Sequence, residues 1–328
     1  MAERSYLEAI RDGMREEMAR DRSVYILGED VALGGPFGAT KGLAEEFGPN
    51  RVVNTPISEG TVMGIAIGAA ALGLRPVVEI MFMDFITLAM DQLVNHAAKL
   101  HYMSGSQIKV PLTIRVQSGA AGNWGAHHSQ SLEAWFLHVP GLKVVMPANP
   151  ADAKGLIKAA IRDDNPVLFV EHRGLYFARG EVPEGEKTLP IGEASLLRAG
   201  ADLTIVALSR MVTTALEAHA ALLKEGISAE VIDPRSLCPL DLDMIVGSVN
   251  KTGRLVIVHE AVEQGGAGAE LAARVQEKAF YYLDSPILRV AAPSAPVPAS
   301  AALEKRFVPG AERILQAARK VMGRASKS

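Results

Sequence analysis

One carboxylate stands where an apolar segment begins. Glu59 follows the turn-like stretch "TPIS", and the residues from Thr61 to Leu72 include no charged side chain. An acid in the first turn of a helix ordinarily complements the helix dipole at the surface, but a helix that is apolar on every side is buried. We therefore predict that Glu59 enters a buried region, where a carboxylate needs a partner. These residues alone favour a functional acid and a capping acid equally.

Two adjacent histidines, His127 and His128, lie in the stretch "WGAHHSQSLEAWF". In an extended chain adjacent side chains point to opposite faces, so the pair cannot easily hold one metal ion. No third ligand follows at a recognisable spacing. We predict that one histidine acts as a proton donor at the mouth of a pocket, in preference to a zinc pair.

A third group of residues is rich in oxygen atoms. In "LIKAAIRDDNPVLF" the Asn165-Pro166 pair stops a helix, so the last carbonyls, around Ala160 and Ile161, lack helical partners. Asp163 and Asp164 add carboxylates at the same place. Oxygens at the negative end of a helix favour a hard cation. Water and ordinary capping are the alternative, which the residues alone favour.

Several classes of protein are excluded or disfavoured. The chain has no P-loop, no G-x-G-x-x-G after a strand, no H-E-x-x-H, no G-x-S-x-G and a single cysteine, Cys238. One cysteine allows no internal disulfide and indicates a reducing compartment. The net charge of -3 gives no reason to expect nucleic acid or an anionic membrane as partner. We predict a cytoplasmic protein, or a mitochondrial matrix or plastid protein whose transit segment has been removed.

The elements that must position these residues follow an alternating pattern. Short apolar, β-branched runs such as "RPVVEIMF", "PVLFVEH" and "RLVIVHE" alternate with helical patterns, among them residues 61–72, 84–100, 150–162 and 211–224. Such strands predict parallel sheets covered by helices on both faces. We predict an α/β fold of two parallel-sheet α/β/α domains, at residues 1–185 and 201–328, joined by a Gly-, Pro- and Glu-rich linker at residues 186–200.

Several long stretches resemble one family over nearly the whole chain. They include "TKGLAEEFGPNRVVNTPISE", "GLRPVVEIMFMDF", "MDQLVNHAAKLHYMSG", "HHSQSLEAWF" and "PGLKVVMPANPADAKGLIKAAIRDDNP". The chain is similar to the beta subunits of thiamine-diphosphate-dependent 2-oxo acid dehydrogenase components, of the pyruvate, branched-chain and acetoin kinds. The resemblance implies a transketolase-like fold, with a pyrimidine-binding domain followed by a transketolase C-terminal domain.

The resemblance also implies a role for Glu59. In the family, the matching acid forms a hydrogen bond with a ring nitrogen of the cofactor's aminopyrimidine. The aminopyrimidine then removes the thiazolium proton, so the cofactor performs the bond-breaking chemistry while the protein binds and orients it. Ile57 and Met81 match apolar residues that line this pocket, and Phe85 matches an aromatic residue that packs against the ring. Glu29 of "GED" matches a member of an acidic relay.

Two further sets of residues carry over. His128, directly before "SQS", matches a histidine that steers the substrate and acts during acyl transfer, whereas His127 lies where the family varies. The residues that match a structural potassium site in some members are Leu112, Ala160, Ile161, Asp163 and Asn165. The resemblance thus favours potassium over the alternative of water and ordinary capping.

The diphosphate half of a thiamine diphosphate site is missing from the sequence. The family holds the diphosphate through Mg²⁺ with a G-D-G motif and a later Asn-Asn pair, and neither is present. The resemblance therefore implies an alpha subunit that supplies Mg²⁺ and the diphosphate site, in a two-alpha, two-beta heterotetramer that docks on a lipoyl acyltransferase core. The small residues of the 61–72 segment, including Gly64 and Gly68, fit close approach by another chain.

The predicted activity is oxidative decarboxylation of a 2-oxo acid, pyruvate-like in preference, with transfer of the acyl group to a lipoyl domain. Acetoin cleavage is an alternative. A transketolase or a fragment of a deoxyxylulose-phosphate synthase would need a basic, His-rich pocket, which we do not find. A non-catalytic assembly subunit is a further alternative, against which intact Glu59, Phe85 and His128 stand. Departures from the family at Gly60–Val62 and in "SGAAGNWGAH" leave the substrate open.

Overall fold

The computed structural model describes residues 1–185 and 187–323, and the chain forms two compact units. Unit 1 consists of Met1–Ser118 and Trp135–Ile191, and unit 2 of Gly119–Ala134 together with the chain from Gly192 onwards. Glu186, the first residue of the predicted linker, and residues 324–328 of the second predicted domain lie outside the described residues. Each unit is an α/β structure, as the strand and helix pattern predicts.

Unit 1 is built around six parallel strands. Its strands are β1 (Ala2–Ser5), β2 (Val24–Gly28), β3 (Val52–Asn54), β4 (Arg75–Ile80), β5 (Thr113–Ser118), β6 (Lys143–Val145), β7 (Val167–His172) and β8 (Arg179–Val182). The parallel order is β6-β7-β5-β4-β2-β3, and β1 pairs with β8 as a separate antiparallel ribbon. Every residue of β5 and β7 is buried, as expected for a parallel sheet covered on both faces.

The helices of unit 1 pack on this sheet. They are α1 (Tyr6–Arg20), α2 (Leu43–Phe47), α3 (Glu59–Ala71), α4 (Ala98–Met103) and α6 (Pro150–Arg162), while α5 (Glu133–Leu137) begins at the end of the Gly119–Ala134 segment. The bounds of α6 agree with the prediction because local signals define it. The Asn149 side chain accepts the Asp152 N–H at 2.9 Å, and Pro150 occupies the first turn.

The segment predicted as one helix over residues 84–100 is instead irregular. It forms a 3-10 helix at Met83–Ala89, a π-helical stretch at Gln92–Ala97 and then α4. The change in winding occurs where the segment crosses α3, since a Cβ on Gly60 would lie 3.1 Å from the Leu88 carbonyl oxygen. Short 3-10 and π stretches inside helices are frequent at functional sites.

Unit 2 contains the second sheet. Its strands are β9 (Ser195–Arg198), β10 (Leu203–Ala207), β11 (Ala229–Asp233), β12 (Ser236–Cys238), β13 (Leu255–Val262) and β14 (Leu288–Ala292), and its helices are α7 (Met211–Lys224), α8 (Leu242–Thr252), α9 (Ala267–Ala279), α10 (Ala301–Phe307) and α11 (Ala311–Val321). The sheet order is β14-β13-β10-β11-β9, with only β9 antiparallel to its neighbour. No helix in the described part of the chain is long and apolar enough to cross a membrane.

The segment Gly119–Ala134 belongs to unit 2, although the predicted first domain runs through it to residue 185. Its backbone is held by side chains of unit 2. The Ala120 N–H donates to Glu260 at 2.5 Å, and the Asn123 N–H donates to Glu304 at 2.9 Å. These partners lie more than a hundred residues further along the chain, so local sequence patterns do not reveal them.

Candidate active site

Glu59 is the first residue of α3 and is 7% exposed, as the sequence predicts. Within residues 1–185 and 187–323 its carboxylate makes no hydrogen bond and no ion pair. The positive end of the α3 dipole lies at the same place and favours negative charge there. A buried acid with free acceptor atoms can therefore bind a polar atom of a ligand.

Glu29, at the end of β2, lies near Glu59. The pKa of the Glu29 carboxyl is raised, first by its partial burial and then by the negative charges of Glu59 and Asp30. Two carboxylates that sense each other in this way can share or exchange a proton more readily than isolated ones. The acidic relay through Glu29 stays a prediction.

Helix α3 is buried along one side only, which corrects the prediction of burial all round. One stripe is buried and includes Glu59, Met63 and Ile67. The opposite stripe is exposed in this chain: Thr61, Gly64, Ile65, Gly68 and, at the end of the helix, Leu72. An apolar, small-residue stripe open to solvent is the kind of surface that a partner chain covers.

The predicted aromatic and apolar residues of the site lie near the start of α3. The ring of Phe85, in the 3-10 helix, meets the ring of Phe82 edge to face at 5.5 Å, and the Phe85 N–H donates to the Phe82 carbonyl at 2.9 Å. Met81 is half-buried, whereas Ile57 is 81% exposed. Gly60 permits the close packing that brings the first turn of α3 to the 3-10 helix.

These residues suit one face of an aromatic, nitrogen-containing ring. Glu59 offers a buried acid for a ring nitrogen, Phe85 offers an aromatic surface, and Met81 adds a soft apolar contact. The exposure of Ile57 leaves the site open on one side. The residues present therefore fit the pyrimidine half of thiamine diphosphate.

His128 lies in unit 2, in the Gly119–Ala134 segment, and is half-buried. The backbone N–H of His128 donates to the Gly125 carbonyl at 3.4 Å, and the centre of the imidazole ring lies 6.1 Å from the centre of the Trp124 ring. His127 is exposed. The described residues contain no group of three or more His, Cys, Asp or Glu side chains suited to a metal ion, and the role of His128 as a proton donor stays a prediction.

A cavity of about 670 Å³ opens in unit 2 beside this histidine. The segment that carries His128 forms one wall through Ala126, His127, Ser129 and Gln130. The rest of the lining comes from the end of β13, from the residues that follow β13 and β14, and from Phe307, and Glu260 contributes the one carboxylate of the lining. A concave lining that combines apolar side chains with a few polar groups is typical of pockets that bind small organic molecules.

Glu133 is a titratable residue that sequence reasoning missed. It is 2% exposed, and burial, aided by the negative charge of Glu260, raises its pKa to about 7. Its Oε2 atom has no hydrogen-bond partner among the described residues. No local signal marks it, because an acid at the start of a short helix ordinarily lies at the surface.

The predicted potassium residues lie together at the end of α6, where Arg75 already supplies a positive charge. The Arg75 guanidinium donates to the carbonyls of Ile161 at 3.0 Å and Asp163 at 3.1 Å. The Asp163 carboxylate is paired with Lys143 and accepts the Asn165 N–H. The remaining two predicted ligands, the carbonyls of Leu112 and Ala160, accept backbone N–H groups. The oxygens suit a hard cation, but potassium would share them with Arg75 and stays a prediction.

Comparisons with known proteins agree on both units. Residues 2–178 match the model of the transketolase pyrimidine binding domain, and residues 192–314 match the transketolase C-terminal domain. The chain is 46% identical over 332 residues to the acetoin:2,6-dichlorophenolindophenol oxidoreductase subunit beta of Bacillus subtilis, with 97% of each chain covered. It is 48% identical over 323 residues to the pyruvate dehydrogenase E1 component subunit beta of Rhizobium meliloti, covering 98% of this chain and 70% of that relative.

A solved structure provides the comparison of folds. A split-gene transketolase, described as an inactive beta4 tetramer, matches with a TM-score of 0.79 at 26% sequence identity, covering 97% of this chain and 98% of that one.

Proposed function

The chain belongs to the transketolase-like family of thiamine-dependent E1 beta subunits of the pyruvate and acetoin dehydrogenase type, and on that basis we propose its reaction and its residue roles. The protein is the beta subunit of a two-alpha, two-beta enzyme. With thiamine diphosphate, the enzyme oxidatively decarboxylates a 2-oxo acid and passes the acyl group to a lipoyl domain of an acyltransferase core.

The observation that carries this proposal is the state of Glu59. It is a buried carboxylate with no hydrogen-bond partner in the described chain, and it begins a helix beside an aromatic residue. The Glu59 oxygens are therefore free to accept a hydrogen bond from a ligand that reaches the start of α3, and burial of the rest of the side chain strengthens that bond. When bound, thiamine diphosphate supplies a carbon nucleophile and a sink for electrons.

The chain's own residues divide the remaining work. Glu59 forms a hydrogen bond with a nitrogen of the ring at the edge of the site, and the low dielectric around the side chain strengthens that bond. Phe85 and Met81 orient the ring and exclude water. His128 steers the substrate carbonyl and donates or accepts a proton during acyl transfer, a role to which an imidazole side chain is suited.

The alpha subunit completes the site. The exposed apolar stripe of α3 and the exposed Ile57 support a partner on this face of unit 1. The sequence contains no diphosphate motif, so the partner supplies the Mg²⁺ and diphosphate half. The inactive beta4 state of the split-gene transketolase supports the same division of labour, in which beta-type chains alone are not an active enzyme.

Acetoin cleavage is the second candidate reaction. The acetoin-enzyme subunits of Bacillus subtilis and Cupriavidus necator are 46% and 47% identical to this chain, against 48% for several pyruvate dehydrogenase subunits. The identities are too close to separate the two substrates.

Reconstitution with an alpha subunit tests the proposal. We expect a panel of 2-oxo acids and acetoin to show one preferred substrate, by reduction of 2,6-dichlorophenolindophenol and by acylation of a free lipoyl domain. Calorimetry of the isolated chain with thiamine diphosphate and Mg²⁺ is expected to show no tight binding. Tight binding, or decarboxylation without a partner, contradicts the divided site, and inactivity of the reconstituted enzyme with every substrate favours the assembly subunit.

A further inference from the structure

Ala120, in the Gly119–Ala134 segment that carries His128, forms hydrogen bonds with side chains through both its N–H group and its carbonyl group. The Ala120 N–H donates to Oε1 of Glu260 at 2.5 Å, and the Ala120 carbonyl accepts from Nη1 of Arg210 at 2.9 Å. Oε2 of Glu260 lies 3.9 Å from the same Arg210 nitrogen. Ala120 thus lies between the two members of an ion pair, which fixes the position and the orientation of its peptide groups.

The two gripping side chains come from rigid elements of unit 2. Glu260 lies in β13, at a position that is 7% exposed, and Arg210 directly precedes α7. Hydrogen bonds to ionised groups are shorter and stronger than those between neutral groups, and burial strengthens them further. The Gly119–Ala134 segment has little regular structure of its own, so its position depends on such anchors.

A second anchor acts further along the segment and is weaker. The N–H groups of Gly122 and Asn123 both donate to Glu304, at 3.3 and 2.9 Å, but this contact is exposed to solvent. Solvent competes with exposed hydrogen bonds and screens their charge. Of these two anchors, the contact from Ala120 to the buried Glu260, backed by the half-buried Arg210, is therefore the stronger one, and it helps to determine where this wall of the cavity, and His128 with it, stands.

We infer that Glu260 and Arg210 are positioning residues for His128. They fix the position of Ala120. The segment that begins at this anchor then holds the His128 imidazole in the position from which it acts. The inference rests on the role proposed above for His128, because a misplacement of about 1 Å of a catalytic group costs on the order of a hundredfold in rate. Neither side chain needs to touch the substrate for this effect.

A series of variants in the reconstituted enzyme tests the inference. Glu260→Met removes the acceptor at similar size, whereas Glu260→Gln keeps an acceptor and loses only the charge. Arg210→Met and Arg210→Lys make the matching pair on the other side. Glu230→Met is the control, because Glu230 is also a buried carboxylate of unit 2 that accepts a backbone N–H, from Gly200, and pairs with a basic side chain, Lys251.

We expect Glu260→Met to lower kcat for acylation of a free lipoyl domain by roughly tenfold or more, with the KM for the 2-oxo acid changed by about twofold or less. Glu260→Gln and Arg210→Lys should retain most of the activity, and Glu230→Met all of it. In the His128→Ala background Glu260→Met should cause no further loss, because a residue that acts through another adds nothing once the other is gone.

Trp124 gives a readout that is independent of activity. In a Trp135→Phe background Trp124 is the one remaining tryptophan of the chain. Quenching of its fluorescence by acrylamide should increase in Glu260→Met and stay unchanged in Glu230→Met. Circular dichroism and assembly with the alpha subunit show whether each variant is folded. If the Met variants do not fold, the activity and quenching of Glu260→Gln and Arg210→Lys test the inference.

Three results overturn the inference: full acyl transfer by Glu260→Met, a loss in the His128→Ala background as large as in the wild type, or an equal loss in Glu230→Met. Full acyl transfer by His128→Ala is a different result. It removes the proposed role of His128 and with it the catalytic part of the inference, while the quenching measurement still decides whether the pair holds the segment.

Discussion

The imidazole ring of His259 fills the space that a side chain on Gly268 would need. A Cβ on Gly268 would lie 2.6 Å from Cδ2 and 2.7 Å from Nε2 of His259, and a Cβ on Gly266 would lie 2.6 Å from Cε1. His259 is fully buried, and burial, with the positive charge of Arg289, lowers its pKa to about 4. Two glycines of "EQGGAGAEL", Gly266 and Gly268, are thus explained by the packing of a neutral ring.

Gly268→Ala should destabilise the protein because the added methyl group overlaps this ring. We expect a loss of about 1–3 kcal/mol in the free energy of unfolding, measured by urea denaturation. Gly247→Ala is the control, since Gly247 lies inside α8 with open space around its Cβ position, and it should be neutral or gain up to about 1 kcal/mol. If the cost of Gly268→Ala is undiminished in a His259→Ala background, the clash is not with this ring.

Glu133 should make stability depend on pH. Its pKa is raised from 4.5 to about 7 in the folded chain, so the folded state binds more protons than the unfolded state between those values. Stability from this group is present at about pH 4.5 and is lost as the pH rises through about 7, in total about 3 kcal/mol. Glu133→Gln should therefore be more stable than the wild type at about pH 8 and nearly equal to it at about pH 4.5.

The measurement is the difference in unfolding free energy between the two proteins at each pH. His259, whose pKa is lowered to about 4, acts in the opposite direction, because its stability contribution is lost as the pH falls from about 6.5 to 4. It is present in both proteins and cancels from the difference. A difference in unfolding free energy that does not change with pH would show that folding does not raise the pKa of the Glu133 carboxyl.

Glu59→Gln should abolish turnover of the reconstituted enzyme while fold and assembly persist. It removes the charge that the buried acid brings to the ring site, and we expect at least a roughly hundredfold loss in kcat. Glu45→Gln is the control, because Glu45 is likewise an acid in the first turn of a helix, α2, but is exposed. Near wild-type activity of Glu59→Gln with cofactor bound would overturn the assignment.

Arg75 and potassium should compete for the same oxygens. Arg75→Met frees the carbonyls of Ile161 and Asp163. If potassium binds there, replacing tetramethylammonium in the buffer by potassium should raise Tm in the wild type. The rise should be larger in Arg75→Met, because the freed, uncharged carbonyls suit a hard cation. Thermal unfolding that is insensitive to the exchange in both proteins would show that Arg75 is the only cation this site uses.

Local signals allowed some of the structure to be predicted. The cap at Asn149 and the stop at Asn165-Pro166 define α6, and the alternation of apolar strands with helices predicts both sheets. The burial of Glu59 followed from the apolar segment after it. The irregular winding between Met83 and Ala97 could not be predicted, because it arises where that segment crosses the glycine face of α3.

The remaining differences have the same physical origin. The exposed stripe of α3 has the composition of a buried surface, and sequence alone does not tell whether its own chain or another covers it. The contacts that join Ala120 to Arg210 and Glu260 span 90 and 140 residues, and no periodicity records them. The raised pKa of Glu133 depends on burial and on the charge of Glu260, which is likewise distant along the chain.

The place of the Gly119–Ala134 segment in unit 2 has a consequence for synthesis. A ribosome releases this segment before it has made Arg210, Glu260 or Glu304, so unit 1 can begin to fold before these three side chains are available to hold the segment. Domains generally fold as units, the N-terminal one first. In this protein the Gly119–Ala134 segment lacks its contacts with Arg210, Glu260 and Glu304 until unit 2 has been synthesised. A nascent chain stalled before Glu260 should therefore expose the segment to proteases.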